Sequence, residues 1–335
     1  MASAATDNRG MHFSKQTKGA AAAVITIAIW TAFIVIARAM AHKTLTPFDI
    51  AFVRMIGAGL VMVPWGWWWV RRERAGRPDE TNRGAATHWL GLSPYSWRIT
   101  ATAGTLAAVL YASLAYSGFL FAPAAHASVL MPGMLPLWTT LIALVAIGTP
   151  VTAKRWVGLG LIVAGGLLVG GTSLLRALVN MGGSEVWKGD LLFLCASFSW
   201  SCYTVYARKH GLQAIPATIA VCVFAVTTFV PVYALLALGG VVVSHLQQAP
   251  WSEILFQAVV QGVGSVVISG ITFVKMVETF GPIRSTMMTA VVPGLSALAA
   301  VLFLGEPLYW NLLLGLALVT IGIVFGIKPV LPARP

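Results

Sequence analysis

Acidic side chains are scarce in this chain. Asp and Glu number 10 against 22 Lys and Arg, and both signs together make up only 10% of the 335 residues. Soluble domains carry about 25%. With 58% of residues hydrophobic, too little polar surface remains to coat a particle in water. The solvent that fits is a lipid bilayer. Cysteine is almost missing too. Cys195, Cys202 and Cys222 lie in apolar runs without C-x-x-C or metal-ligand spacing, which excludes a disulfide framework and a thiolate metal site. No H-E-x-x-H, G-x-S-x-G or phosphate-loop pattern occurs, and Gly262-x-Gly264 lacks a third glycine. An enzyme, a cofactor and a bound metal are therefore not expected. The basic surplus forms no helix with interleaved aromatics, so nucleic acid is not an expected partner either.

Long apolar runs dominate instead. A spanning helix needs about 20 mostly apolar residues. On that measure ten segments qualify: 20–41, 48–70, 98–120, 124–147, 152–172, 188–209, 216–240, 253–279, 283–304 and 308–328. The longest interruption, residues 71–98, reads as a solvated loop. With the N-terminus placed in the cytoplasm, the outer side holds only Arg38, Lys43, Arg176 and Lys188. Arg54 falls within a helix, and the rest of the 22 basic residues lie inside, as the positive-inside rule expects. Both termini are then cytoplasmic, and a bacterial inner (plasma) membrane is the expected location. Ala39-Met40-Ala41 imitates a signal-peptidase site, but an internal repeat favours an uncleaved anchor.

That repeat is visible in KGAAAAVITIAIWTAFIVIAR and KGDLLFLCASFSWSCYTVYAR, which start at Lys18 and Lys188. Trp30 matches Trp200, Phe33 resembles Tyr203, and Arg38 matches Arg208, each at an offset of 170 (200 − 30). A second frame, offset by 157 (293 − 136), pairs Pro136 with Pro293, Gly148 with Gly305, Gly158 with Gly315 and Gly165 with Gly322. The expected architecture is all-α and integral to the membrane, with ten transmembrane helices. A cytoplasmic tail (1–17) precedes one five-helix repeat (18–172), a second repeat (188–328) and a C-terminal tail (329–335). Five is odd, so the second copy enters from the opposite face. Two inverted copies have two related conformations open to opposite sides, the physical basis of alternating access.

FAPAAHASVLMPGMLPLWTTLIALVAIGTP and TFGPIRSTMMTAVVPGLSALAAVLFLGEP resemble the fourth and ninth helices of the drug/metabolite transporter superfamily, in its EamA-like branch. The second ends in the family's Leu304-Gly305-Glu306; the first has Thr149 where the acid would stand. The segment around Arg54 resembles the second helix of that family. The resemblance implies a carrier of small organic metabolites such as amino acids, working as an exporter or exchanger. An intramembrane enzyme and a channel are the alternatives.

Candidate contacts come from polar stripes, since lipid cannot satisfy inward polar groups. The sixth helix offers Ser197, Trp200, Ser201 and Thr204, with Tyr203 beside them. The eighth offers Gln257, Gln261, Ser265, Ser269 and Thr272. The first adds Trp30 and Thr31, the third Tyr111 and Tyr116. The competing reading is helix packing, because Ser and Thr bond back to their own backbone. His126 either meets an anionic substrate or protons, or is an interfacial hydrogen-bonded histidine. Arg54 either holds a carboxylate or snorkels outward to pair with Asp49, the second being favoured. Substrate contacts are thus expected at Trp30, Arg54, Tyr111, His126, Trp200, Tyr203, Gln261 and Ser265. Pro136 and Pro293 are expected hinges. Lys275 and Glu278 form an i, i+3 pair, and Glu306 starts the tenth helix. No acid falls at a midplane, which favours facilitated diffusion or exchange. The partners are a small-molecule substrate and the bilayer, and the carrier is expected as a monomer.

Overall fold

The computed structural model describes residues 14–76, 89–171, 175 and 185–327. Among these residues the chain is helical, with no strand. The first half comprises α1 (Lys15–Met40), α2 (Pro47–Gly76), α3 (Trp97–Phe121), α4 (Ala124–Ile147) and α5 (Ala153–Gly171). The second comprises α6 (Val186–Lys209), α7 (Ala214–Leu238), α8 (Trp251–Phe280), α9 (Pro282–Leu304) and α10 (Trp310–Ile327). Eight of them, all but α6 and α10, are long and apolar enough to cross a membrane, and α10 holds the shorter apolar stretch Trp310–Phe325.

Local chemistry sets the helix starts. Ser14 caps α1 by accepting the Thr17 N–H at 3.1 Å. Thr46 and Asp49 form a reciprocal capping box on α2. The Asp49 N–H reaches the Thr46 hydroxyl at 3.1 Å, and the Thr46 N–H reaches the carboxylate at 3.0 Å. α2 then runs beyond the expected end at residue 70, because Arg71 to Gly76 continue its hydrogen-bond ladder. The expected loop is also shorter at its other end. A 3-10 turn at Trp89–Gly91 is held by Trp89 Nε1 donating to the Thr227 hydroxyl at 2.8 Å, and the Gln213 N–H bonds the Tyr95 hydroxyl at 2.8 Å. Residues 77–88 lie outside the described residues.

Packing alternates between the halves. α1 packs on α8 and α9, and their counterparts α6 on α3 and α4; α2 packs on α8, and α7 on α3. α2 and α7 touch each other, as do α5 and α10. The α5/α10 contact is a glycine seam. A Cβ on Gly165 would lie 2.5 Å from the Gly315 carbonyl oxygen, one on Gly315 2.8 Å from that of Gly165, and one on Gly322 2.5 Å from that of Gly158. Only hydrogen fits there, so the backbones approach directly. The order is antiparallel: Gly158 faces Gly322, and Gly165 faces Gly315.

Helices α4 and α9 are interrupted at matching places. α4 breaks between Leu130 and Leu135, and α9 between Met288 and Val291. Pro136 and Pro293 fall in the first turn after each break, where a missing N–H has no intrahelical partner to lose. The bends therefore arise at the breaks themselves, not at these prolines as expected. In α4 the break carries Pro132-Gly133. Both helices stop at a left-handed glycine, Gly148 (φ 71°) and Gly305 (φ 66°), the conformation that favours glycine at a C-terminus.

Candidate functional site

Two hollows lie side by side in the interior, sharing one wall. The first, of about 20 Å³, is bounded by Trp30, Phe33 and Ile34 of α1, Tyr111 of α3, Met131, Pro132 and Leu135 at the break in α4, and Ser197 and Trp200 of α6. The second, of about 30 Å³, is bounded by Arg54 and Met55 of α2, Ala107 and Ala108 of α3, and Trp200 and Tyr203 of α6. Thr218 and Val221 of α7 and Ser265, Val266 and Gly270 of α8 complete it. Trp200 is the common wall. Each has room for about one water molecule, far less than a small-molecule site, so a substrate is admitted only when the walls part. Larger spaces of about 260 and 430 Å³ exist elsewhere. The first of these is an almost wholly apolar groove along α4, α5 and α6 that suits lipid contact better than recognition, and the second lies between α2, α7 and the α7–α8 connection, apart from Trp200.

The walls are aromatic and mutually packed. Trp30 meets Trp200 edge-on with centroids 5.8 Å apart and stacks on Phe273 at 5.0 Å, and Tyr111 lies 4.9 Å from Trp200. Trp200 also contacts Tyr203 at 5.4 Å. Trp30 is oriented by its Nε1 donating to the Ser269 hydroxyl at 3.0 Å. The Trp200 Nε1 is buried without a partner.

Wide helical turns bring backbone to the second hollow. Ala107 and Ala108 belong to a π-helical stretch of α3, Thr105–Leu110. Ser265 and Val266 belong to one in α8, Gln257–Ile268. Such turns loosen the i→i−4 ladder and recur at functional sites. The Ser199 hydroxyl donates to the Leu106 carbonyl at 2.8 Å.

Arg54 is the charged group of the site, and its surroundings correct the expected outward pairing. Its side chain is 4% exposed. Nη1 donates to the Tyr116 hydroxyl at 3.1 Å, and the guanidinium lies 5.4 Å from the Tyr116 ring and 5.7 Å from that of Phe33. Nε has no partner, and among the described residues no carboxylate lies within ion-pair distance. Asp49 is occupied elsewhere. Besides Thr46 it accepts from the Tyr233 hydroxyl at 2.8 Å, the Ser244 hydroxyl at 2.6 Å and the His245 N–H at 2.9 Å.

The structure thus brings Trp30, Tyr111 and Trp200 to one hollow and Arg54, Trp200, Tyr203 and Ser265 to the other. His126 and Gln261 line neither. The His126 Nδ1 is 2.8 Å from the Asp190 carboxylate. Gln261 and Gln257 are wholly buried, and both ends of each amide lack partners. The sixth-helix stripe is largely structural. Ser197 donates to the Met131 carbonyl at 2.8 Å and Ser201 to that of Leu135 at 3.5 Å, groups at the α4 break, while Thr204 bonds back to Trp200. Ser269 and Thr272 hold α1 through Trp30 and Thr26. Phe33, Met131 and Pro132 line the first hollow and Phe273 backs Trp30, and none of them stood among the expected contacts. Phe33 had a signal, its match to Tyr203 in the repeat; the break residues needed only the Pro-Gly pair to be read as a helix interruption.

Glu306 also differs from expectation. It is a helix-start acid, but for α4 and not for α10. Its carboxylate accepts the Ala124 and Ala125 N–H groups at 3.2 and 3.3 Å and pairs with Arg38 Nε at 3.1 Å. Arg38 also donates to the Phe119 carbonyl at 2.8 Å. The Lys275–Glu278 pair forms at 2.8 Å as expected, and Glu278 also accepts the N–H of Ala214 at the start of α7.

Comparison with known proteins agrees with this architecture. One crystal structure of a protein superposes with a TM-score of 0.58 at 20% identity, over 92% of this chain and 95% of its own; this likeness bears on the fold alone. No curated protein matches the chain significantly. The family model of the EamA-like transporter family matches twice, over residues 17–171 and 187–327. With both halves matched across most of the chain, the protein belongs to the EamA-like transporter family.

Proposed function

We propose that this transporter is an alternating-access carrier of ten spanning helices in two inverted five-helix repeats, with the paired hollows around Trp200 as its substrate site. The observation that carries the reading is the antiparallel glycine seam. Gly158 and Gly165 correspond to Gly315 and Gly322, yet each faces the other's counterpart. A twofold axis between α5 and α10 accounts for this crossed pairing, and an axis across antiparallel spanning helices lies in the membrane plane. The exchange of packing partners between the halves, α1 with α8 answered by α6 with α3, supports the same axis.

The cargo is a small organic metabolite, with amino acids and related compounds the class to screen first. The protein works as an exporter or exchanger and as a monomer in a bacterial plasma membrane, with both termini cytoplasmic. The acids support exchange or facilitated diffusion over ion coupling. Asp49, Asp190, Glu253, Glu278 and Glu306 all have partners close to helix ends, so none stands ready at mid-membrane to carry a coupling ion. The test is purified protein in liposomes, loaded with unlabelled compound and assayed for counterflow of its labelled form. Saturable counterflow is the expected result. Non-saturating flux without counterflow identifies a channel and overturns the carrier reading.

A further inference from the structure

We infer that the second hollow is a carboxylate site, and that the preferred cargo is a monoanion with an apolar body: a monocarboxylate without a balancing amine. The inference rests on the site assignment just proposed and names the charge it recognises.

Three observations carry it. First, Arg54 is a guanidinium buried to 4% exposure whose Nε lacks any partner. Its one hydrogen bond among the described residues goes to the Tyr116 phenol, which carries no negative charge to balance it. Buried charges are ordinarily paired, and the nearest acid in sequence, Asp49, has its oxygens filled by Thr46, Tyr233, Ser244 and His245. Second, the Trp200 Nε1 is another buried donor without a partner, and Trp200 and Arg54 line the same hollow. A planar carboxylate accepts on two oxygens, and a guanidinium fork with an indole N–H offers donors for both. Third, neither hollow is lined by Asp or Glu. A ligand amine would find no counter-charge there, and its positive charge would repel Arg54. Beyond Trp200 the walls turn apolar, and once they part Trp30, Phe33 and Tyr111 offer a surface for a hydrocarbon or aromatic body.

Matched triplets test this, each an acid, its amino acid and its amine. One is indole-3-propionate, tryptophan and tryptamine. Others are built on phenyl and branched aliphatic bodies. Binding to the full-length protein in detergent is measured by isothermal titration, and counterflow is measured in liposomes. The expected order within a triplet is acid, then amino acid, then amine, with the acid at least tenfold tighter than the amine. Arg54→Gln collapses that spread to within about threefold, and Arg54→Lys restores part of it. An amino acid or amine that binds as tightly as its acid overturns the inference. So does a panel in which no acid binds at millimolar concentration. A folded Arg54→Gln protein that keeps the wild-type order overturns it as well, because the guanidinium is then structural. If Arg54→Gln does not fold, the wild-type order alone decides. Tight acid binding without counterflow sinks the carrier reading and leaves this one standing.

Discussion

Trp200 and Glu306 are single residues with opposite kinds of importance. Trp200 separates the two hollows, so Trp200→Ala merges them and removes the ring that lines both. The expected outcome is an apparent affinity about tenfold weaker, on the order of 1.4 kcal/mol, with folding retained; counterflow as a function of substrate concentration measures it. Unchanged affinity takes Trp200 out of the site. Glu306 touches no hollow. It ties the start of α4 to Arg38 at the end of α1, so Glu306→Ala is expected to lower thermal stability by about 1–2 kcal/mol, as lost caps do, while the affinity of the folded fraction stays constant. Sequence reading found Trp200 through the repeat and the acid through the family motif. It could not find the partner of Glu306, because α4 lies some 180 residues earlier in the chain and only folding brings the two together. The same limit misassigned Arg54. The proximity of Asp49 in sequence suggested a pair, whereas Tyr233 and the turn at Ser244 and His245 had already taken its oxygens.

At the scale of elements, the α5/α10 seam is a close backbone contact, whereas α4 and α9 are interrupted at their breaks. Two glycines of α5 make a controlled comparison. A Cβ at Gly165 would sit 2.5 Å from a backbone oxygen, while one at Gly160 meets nothing within 4 Å. Gly165→Ala is expected to destabilise by about 1–3 kcal/mol through overpacking. Gly160→Ala is expected to be neutral or stabilising by about 0.5 kcal/mol, because helical glycine costs backbone entropy. Thermal denaturation of the two variants in one detergent decides it, and equal melting temperatures would remove the seam as a close contact. The breaks behave differently. Pro293→Ala supplies an N–H next to a two-residue interruption and favours a continuous α9. Transport is expected to slow several-fold with binding unchanged, as counterflow rate against titrated affinity will show. An unaltered rate removes α9 as a hinge. Periodicity revealed these helices but not their π-turns or interruptions, since apolar composition is the same on both sides of a break.

For the whole molecule, the axis proposed here requires an even number of crossings. Tags on the two ends should be reached by a membrane-impermeant reagent from the same side, and scanning cysteines should count ten spans. Ends on opposite sides would dissolve the symmetry. The all-helical class and the duplicated family match were the most legible in sequence, because segment length, hydropathy and duplicated glycines survive without knowledge of contacts. The site was half legible: aromatic and basic residues stood out, but whether a hydroxyl faced cargo or a neighbouring carbonyl depended on packing. One packing detail reaches beyond its own helix. Ser197 and Ser201 grip α4 at the carbonyls of Met131 and Leu135, and Trp200 projects from the same turns of α6. Ring and grip thus share one lever: any roll of α6 that withdrew the indole would also tug on the interrupted strut beside it.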